Sequence, residues 1–156
     1  MWDFIKQNWG NLASVLGFII SLFVLWYAKR ASEAAREAKE VVLKRNVADD
    51  LEEARRIAQE LPAFLRMNKW EVAQLKADEL RMQASWLIAR WEDRLDTVSR
   101  SRLMTARELL RSMVEDLNKM VQNSISEKQK ADVLSDAESV REIFIEEHGK
   151  FLAKID

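Results

Sequence analysis

The chain contains no cysteine, which removes disulfides, thiolate metal sites and thiol nucleophiles together. Its one histidine, His148, leaves little for metal ligation or proton transfer. Glycine occurs only at Gly10, Gly17 and Gly149, so a phosphate-cradling glycine loop is excluded. Proline occurs once, at Pro62, and turn-forming residues are scarce. Charge of one sign is also missing: 25 basic and 26 acidic residues nearly cancel, so global charge names no partner. What remains is rich in Ala, Leu, Glu, Lys and Arg, a composition that reads as all-α. Neither enzyme activity nor a cofactor is expected. No serine–histidine–aspartate geometry can be argued, and a ferritin-like Glu-x-x-His metal motif fails because position 145 is isoleucine.

Against this background one apolar run stands out. Positions 7–28 carry no charge and would extend about 33 Å as a helix, against a bilayer core of about 30 Å. Trp9 lies near one end and Trp26 and Tyr27 at the other, where amphipathic rings favour the headgroup layers. A cleaved signal peptide would want a basic start and small residues before its cut. Here Asp3 offsets Lys6, and bulky Trp26 and Tyr27 precede Ala28. The segment therefore reads as a retained, single-pass anchor in the lipid bilayer. Lys29, Arg30, Arg36, Lys39, Lys44 and Arg45 follow it and only Lys6 precedes it. The positive-inside rule then puts the N-terminus outside and the C-terminal body in the cytoplasm, as for a bacterial inner-membrane protein.

On a heptad plot Gln7, Gly10, Asn11, Ser14, Gly17, Ser21 and Ala28 collect on one side of this span, away from Leu12, Val15, Leu16, Ile19, Phe23 and Trp26. Small residues let helix backbones approach in lipid, and serines can bond across the pair. With one span per chain the simplest partner is another copy, so a homo-oligomer is expected, with a tetramer among the copy numbers considered. Two uses compete. The face is a passive oligomer contact, or several copies surround an axis with Gln7, Asn11, Ser14 and Ser21 lining a path and Phe18 or Leu25 constricting it.

The 156 residues accommodate this span and one modest further domain. Three parts are expected: residues 1–30 as tail and transmembrane helix, 31–66 as helical stalk, and 67–156 as a small cytoplasmic helical bundle. Ala31, Ala35, Ala38 and Val42 carry the seam into the stalk, and Val47, Leu51, Ala54, Ala58, Leu61 and Leu65 resume it after a shift near Lys44. Pro62 is expected to end or kink this helix. Asn68 to Glu71 has the N-cap and N3 residues of a capping box. The helix that follows has two apolar stripes. One is Trp70, Ala73, Ala77, Leu80, Ala84, Leu87, Trp91 and Leu95; the other is Val72, Leu75, Met82, Trp86 and Ala89. A helix apolar on two sides is central to its domain or bears an oligomer contact. Positions 96–102 read as a turn, with a second capping box at Thr105 to Glu108, although that helix could begin sooner. A last helix would start at Ser126 or at Ser135 and turn Val133, Ala137, Val140, Phe144 and Phe151 inward.

Between Arg81 and Arg111 there are seven arginines, no lysine and only four acids, whereas positions 132–156 carry seven acids against three bases. Guanidinium groups bind phosphate bidentately and stack on bases. Arg90, Arg94, Arg100, Arg102 and Arg107, with Trp86 and Trp91, are thus a candidate anion site for a nucleotide or oligonucleotide ligand. The plain alternative is that this basic region meets the acidic tail, within one chain or between copies.

Two resemblances follow from these residues. Arg141 and His148, spaced R-x6-H, resemble the loose R-x4-6-H signature of the all-α HEPN ribonucleases, which would imply RNA cleavage at a dimer interface. His148 beside Gly149 equally reads as a histidine at a helix end. The layout of a self-associating span and a basic, aromatic cytoplasmic domain resembles the single-span membrane effectors of antiphage operons, of the Hailong channel-effector kind. That resemblance is one of architecture, without a diagnostic motif. It implies a gated pore opened through a nucleotide-sensing domain in antiviral defence; a membrane-tethered scaffold for another protein is the alternative.

Overall fold

A computed structural model describes the backbone of residues 2–122 and 126–154 and the side chains of residues 14–122 and 126–154. Four helices and no strand occur among the described residues: α1 (Trp2–Arg66), α2 (Trp70–Arg90), α3 (Thr97–Val121) and α4 (Glu127–Leu152). The protein is all-α, and its first helix carries an apolar stretch long enough to cross a membrane. The chain divides into two compact units, Met1–Val42 and Leu43–Asp156, so the second takes in the last part of α1.

Unit two is built on stripes of helical period. Val47, Leu51, Ala54, Ala58 and Leu61 of α1 are essentially inaccessible, as are Ala73, Ala77, Leu80 and Ala84 of α2. From α3 come Leu103, Ala106, Leu110, Met113 and Leu117, and from α4 Val133, Ala137, Val140 and Phe144. Each large apolar side chain so covered contributes about 1.5–3 kcal/mol relative to leaving it in water. The alanines matter differently, because small side chains on α1 and α2 let helices approach closely. Helix α3 packs against both α2 and α4.

The connections between helices correct two expectations and remove one of the two outcomes expected at Pro62. Pro62 neither ends α1 nor marks its boundary: the helix continues to Arg66. The proline forfeits one backbone bond, but Leu61 and Leu65 on either side are buried and hold the last turn in place. Asn68 caps nothing on α2. It takes φ 56° instead and closes α1, with its own N–H on the Leu65 carbonyl and the Lys69 N–H on Phe64, the paired bonds of a Schellman motif. Lys69 precedes α2 without a side-chain cap. Residues 97–102 are not a turn but the first part of α3, capped by Asp96, whose carboxylate accepts from the Ser99 N–H at 2.8 Å. Thr105 lies well inside that helix, its hydroxyl on the Ser101 carbonyl. Of the two starts considered for α4, Ser126 is the one used, and it forms a reciprocal capping box with Gln129.

Candidate functional site

The span presents its side chains outward. From Val15 to Tyr27 the large apolar residues are between 43% and 66% exposed, Phe18 and Leu25 among the most exposed at 64% and 66%. Within the small face, a Cβ added at Gly17 would meet nothing within 4 Å among the described residues. A helical glycine costs about 1 kcal/mol relative to alanine, and no contact among the described residues requires it there. The Ser21 hydroxyl donates to the Gly17 carbonyl at 2.8 Å, so its proton is satisfied inside the helix while a lone pair stays available. Ser14 is exposed on the same face. Gln7, Gly10 and Asn11 lie outside the residues whose side chains are described. At the far end Trp26 and Tyr27 meet edge to face with centroids 5.1 Å apart, and the Arg30 guanidinium sits 5.4 Å from the Trp26 ring.

In unit two the arginines are drawn to separate carboxylates. Arg90 lies 4.6 Å from the Trp86 ring and 4.9 Å from Trp91, with Asp50 of α1 at 3.6 Å. Trp91 donates its indole N–H to the same Asp50 at 2.8 Å. This is a cation–π clamp between α1 and α2, assembled from three residues of the predicted anion site and one acid that sequence reasoning passed over. Asp50 gives no signal in sequence because it reads as an ordinary solvated charge. Arg100 pairs with Glu92 at 2.8 Å and Arg107 with its neighbour Glu108 at 2.9 Å. Arg94 sits in the turn after α2.

Arg102 reaches α4, where it pairs with Glu146 and, at 3.3 Å, with Glu147. These contacts, Glu146 first, hold its guanidinium still more firmly protonated. Glu147 is 1% exposed within the inner stripe of α4, and its second oxygen has no hydrogen-bond partner among the described residues. A buried carboxylate is tolerated only when paired, and Arg102 supplies the cation. A second polar node joins the start of α3 to the end of α4. Lys150 donates to the buried Ser99 hydroxyl at 2.7 Å and to Asp96 at 3.0 Å, and Lys154 lies 3.6 Å from Asp96. The Lys150 bond first, then the Ser99 N–H, hold the Asp96 carboxyl well below the usual carboxylate range.

The two residues of the ribonuclease-like signature go to different partners. Arg141 pairs with Glu138 at 2.9 Å, while His148 lies 3.3 Å from Glu52 of α1. Glu52 is pulled below its ordinary value chiefly by its bond from Arg55, with smaller help from His148 and Arg56. No protein-family model, curated protein or solved structure matches the chain.

Proposed function

We propose that this chain is a single-pass membrane protein that assembles with copies of itself, that its spans together form a gated pore, and that the rest of the chain is a cytoplasmic helical bundle. The observation that carries the reading is the small, polar face of the span. Among the described residues nothing crowds a Cβ at Gly17, and the Ser21 hydroxyl keeps a lone pair for a further bond. Lipid tails give helices no hydrophobic reason to associate, so close backbone approach and serine bonding are what copies can gain from this face. With several copies around an axis, Gln7, Asn11, Ser14 and Ser21 line the path and Phe18 or Leu25 form apolar constrictions that close it by dewetting. An anionic ligand, of the nucleotide class, would act by competing with Glu146 and Glu147 for Arg102.

Reconstitution of the full chain in liposomes tests this. Ion flux that disappears in the Ser14→Leu, Ser21→Leu double variant supports the pore; intact assembly without flux under any nucleotide overturns it. A copy number of one or two removes the pore as well. The second reading, a membrane-tethered scaffold for another protein, is favoured by one specific observation: Arg90, Arg100, Arg102 and Arg107 are each already beside a carboxylate of this chain. If Arg94→Glu and Arg102→Glu leave nucleotide binding unchanged, the arginines are structural and the scaffold takes precedence.

A further inference from the structure

Helix α2 carries a second apolar line that the core of its own unit leaves uncovered. Leu75 is 72% exposed, Met82 58%, Trp86 46% and Val72 38%, with Ala89 exposed beside them. Together with Glu79 these residues recur at steps of three, four, three, four and three, the a and d positions of about three heptads. At 100° per residue they lie on the side of the helix opposite Ala73, Ala77, Leu80 and Ala84, all fully buried. No rotation of α2 within its own chain could cover both lines.

We infer that the occupant of this line is α2 of a second copy, paired in parallel, an inference that rests on the self-associating reading above and names the contact made outside the span. The flanking charges select both partner and direction. In a parallel pair each g residue faces the e residue of the next heptad on the other helix. Glu71 then meets Lys76 of the second copy, and Asp78 meets the Gln83 carboxamide, each twice by symmetry. Antiparallel pairing brings Lys76 to Gln83 and Asp78 to Ser85, with no meeting of opposite charges. The cost of the parallel pair falls at Glu79, whose layer meets its own copy. Lys76 of the same chain, 2.7 Å from that carboxylate, offsets its charge. A single polar a layer fixes register while lowering stability. Three heptads with such a layer make a weak contact between free molecules and an adequate one between chains confined to one bilayer, where tethering raises the local concentration.

The absence of native cysteine makes the test direct. Single Leu75→Cys and Met82→Cys variants of the full chain in liposomes, under mild oxidation, are expected to give disulfide-linked pairs; Glu115→Cys on the exposed side of α3 is not. Lys76→Glu is expected to lower Met82→Cys crosslinking several-fold, and adding Glu71→Lys to restore it, with helicity by circular dichroism unchanged throughout. Chains that count as oligomers but fail to crosslink at 75 and 82 overturn this contact and leave the span reading intact. Solitary chains overturn both. Crosslinks formed only when Val72→Cys chains are mixed with Ala89→Cys chains mean antiparallel pairing and overturn the register.

Discussion

Residues 14–42 and 43–66 belong to the same helix, α1, and meet opposite fates. In the first stretch Leu25 and Phe18 are about two-thirds exposed; in the second Leu51 and Leu61 are wholly covered by the rest of their unit. Apolarity alone does not explain the contrast, since the first stretch is the more apolar of the two. What differs is distribution. Val47, Leu51, Ala54, Ala58, Leu61 and Leu65 form a stripe with Asp49, Glu53, Arg56 and Glu60 around it, which suits one buried face. The span carries large apolar residues on most of its surface, broken only by the narrow line of Ser14, Gly17 and Ser21, which suits a surrounding that is largely apolar. One part of the helix is covered by its own chain, and the other leaves its large apolar side chains exposed.

The largest effect expected on one side of this comparison comes from Phe144→Ala. The ring is fully buried, and its removal should cost about 3–5 kcal/mol, read as a lower denaturation midpoint by tryptophan fluorescence in detergent. Insertion of the span should be unaffected; a protein that also leaves the membrane fraction would show that the two regions are not independent. Gly17→Ile is the converse. It should change unfolding of residues 43–156 by less than about 0.5 kcal/mol, since a Cβ there meets nothing within 4 Å among the described residues, while lowering the copy number counted in liposomes.

A smaller effect is expected from acid. The Asp96 carboxyl is held below its ordinary value of 3.8 in the folded chain, so the folded state binds fewer protons there than the unfolded state. The stability it contributes is present above pH 3.8 and is lost as the pH falls from there through the depressed folded value. Asp96→Asn keeps a good N-cap and removes the charge. The wild type should therefore be the more stable above about pH 4, and the two denaturation curves should converge below it. Equal curves at neutral pH would mean that Lys150 gains nothing from this carboxylate. Smallest is Asn68→Gly, which relieves a positive φ and should raise the unfolding free energy by about 0.5 kcal/mol, read from the denaturation curve, after the added freedom of the unfolded chain is allowed for.

Much of the core is legible in the sequence, because Leu103, Leu110, Met113, Val140 and Phe144 recur at helical spacing and spacing alone places them on one face of each helix. Chain connections were less legible. Asn68 followed by Glu71 matches a capping box in letters, but whether an asparagine caps the helix ahead or closes the one behind depends on where the backbone must turn. The start of α3 and the ending of α1 at Pro62, one of the two outcomes expected there, failed for the same reason: the bonds at Asp96, and burial of Leu61 and Leu65, outweigh local preference. The arginine cluster was visible as composition, while its partners were not, because Asp50 lies forty residues from Arg90, and Glu146 and Glu147 more than forty from Arg102.

Sequence by itself determined that the protein is helical and that it carries a stretch able to cross a membrane, because both follow from local composition and period. Only the tertiary structure decided that the last third or so of α1 is absorbed into a packed unit, that Arg90 is clamped by two tryptophans and an aspartate, and that one apolar line of α2 is covered while the other is left open. Those outcomes depend on which distant residues arrive together, and no window along the chain contains that information.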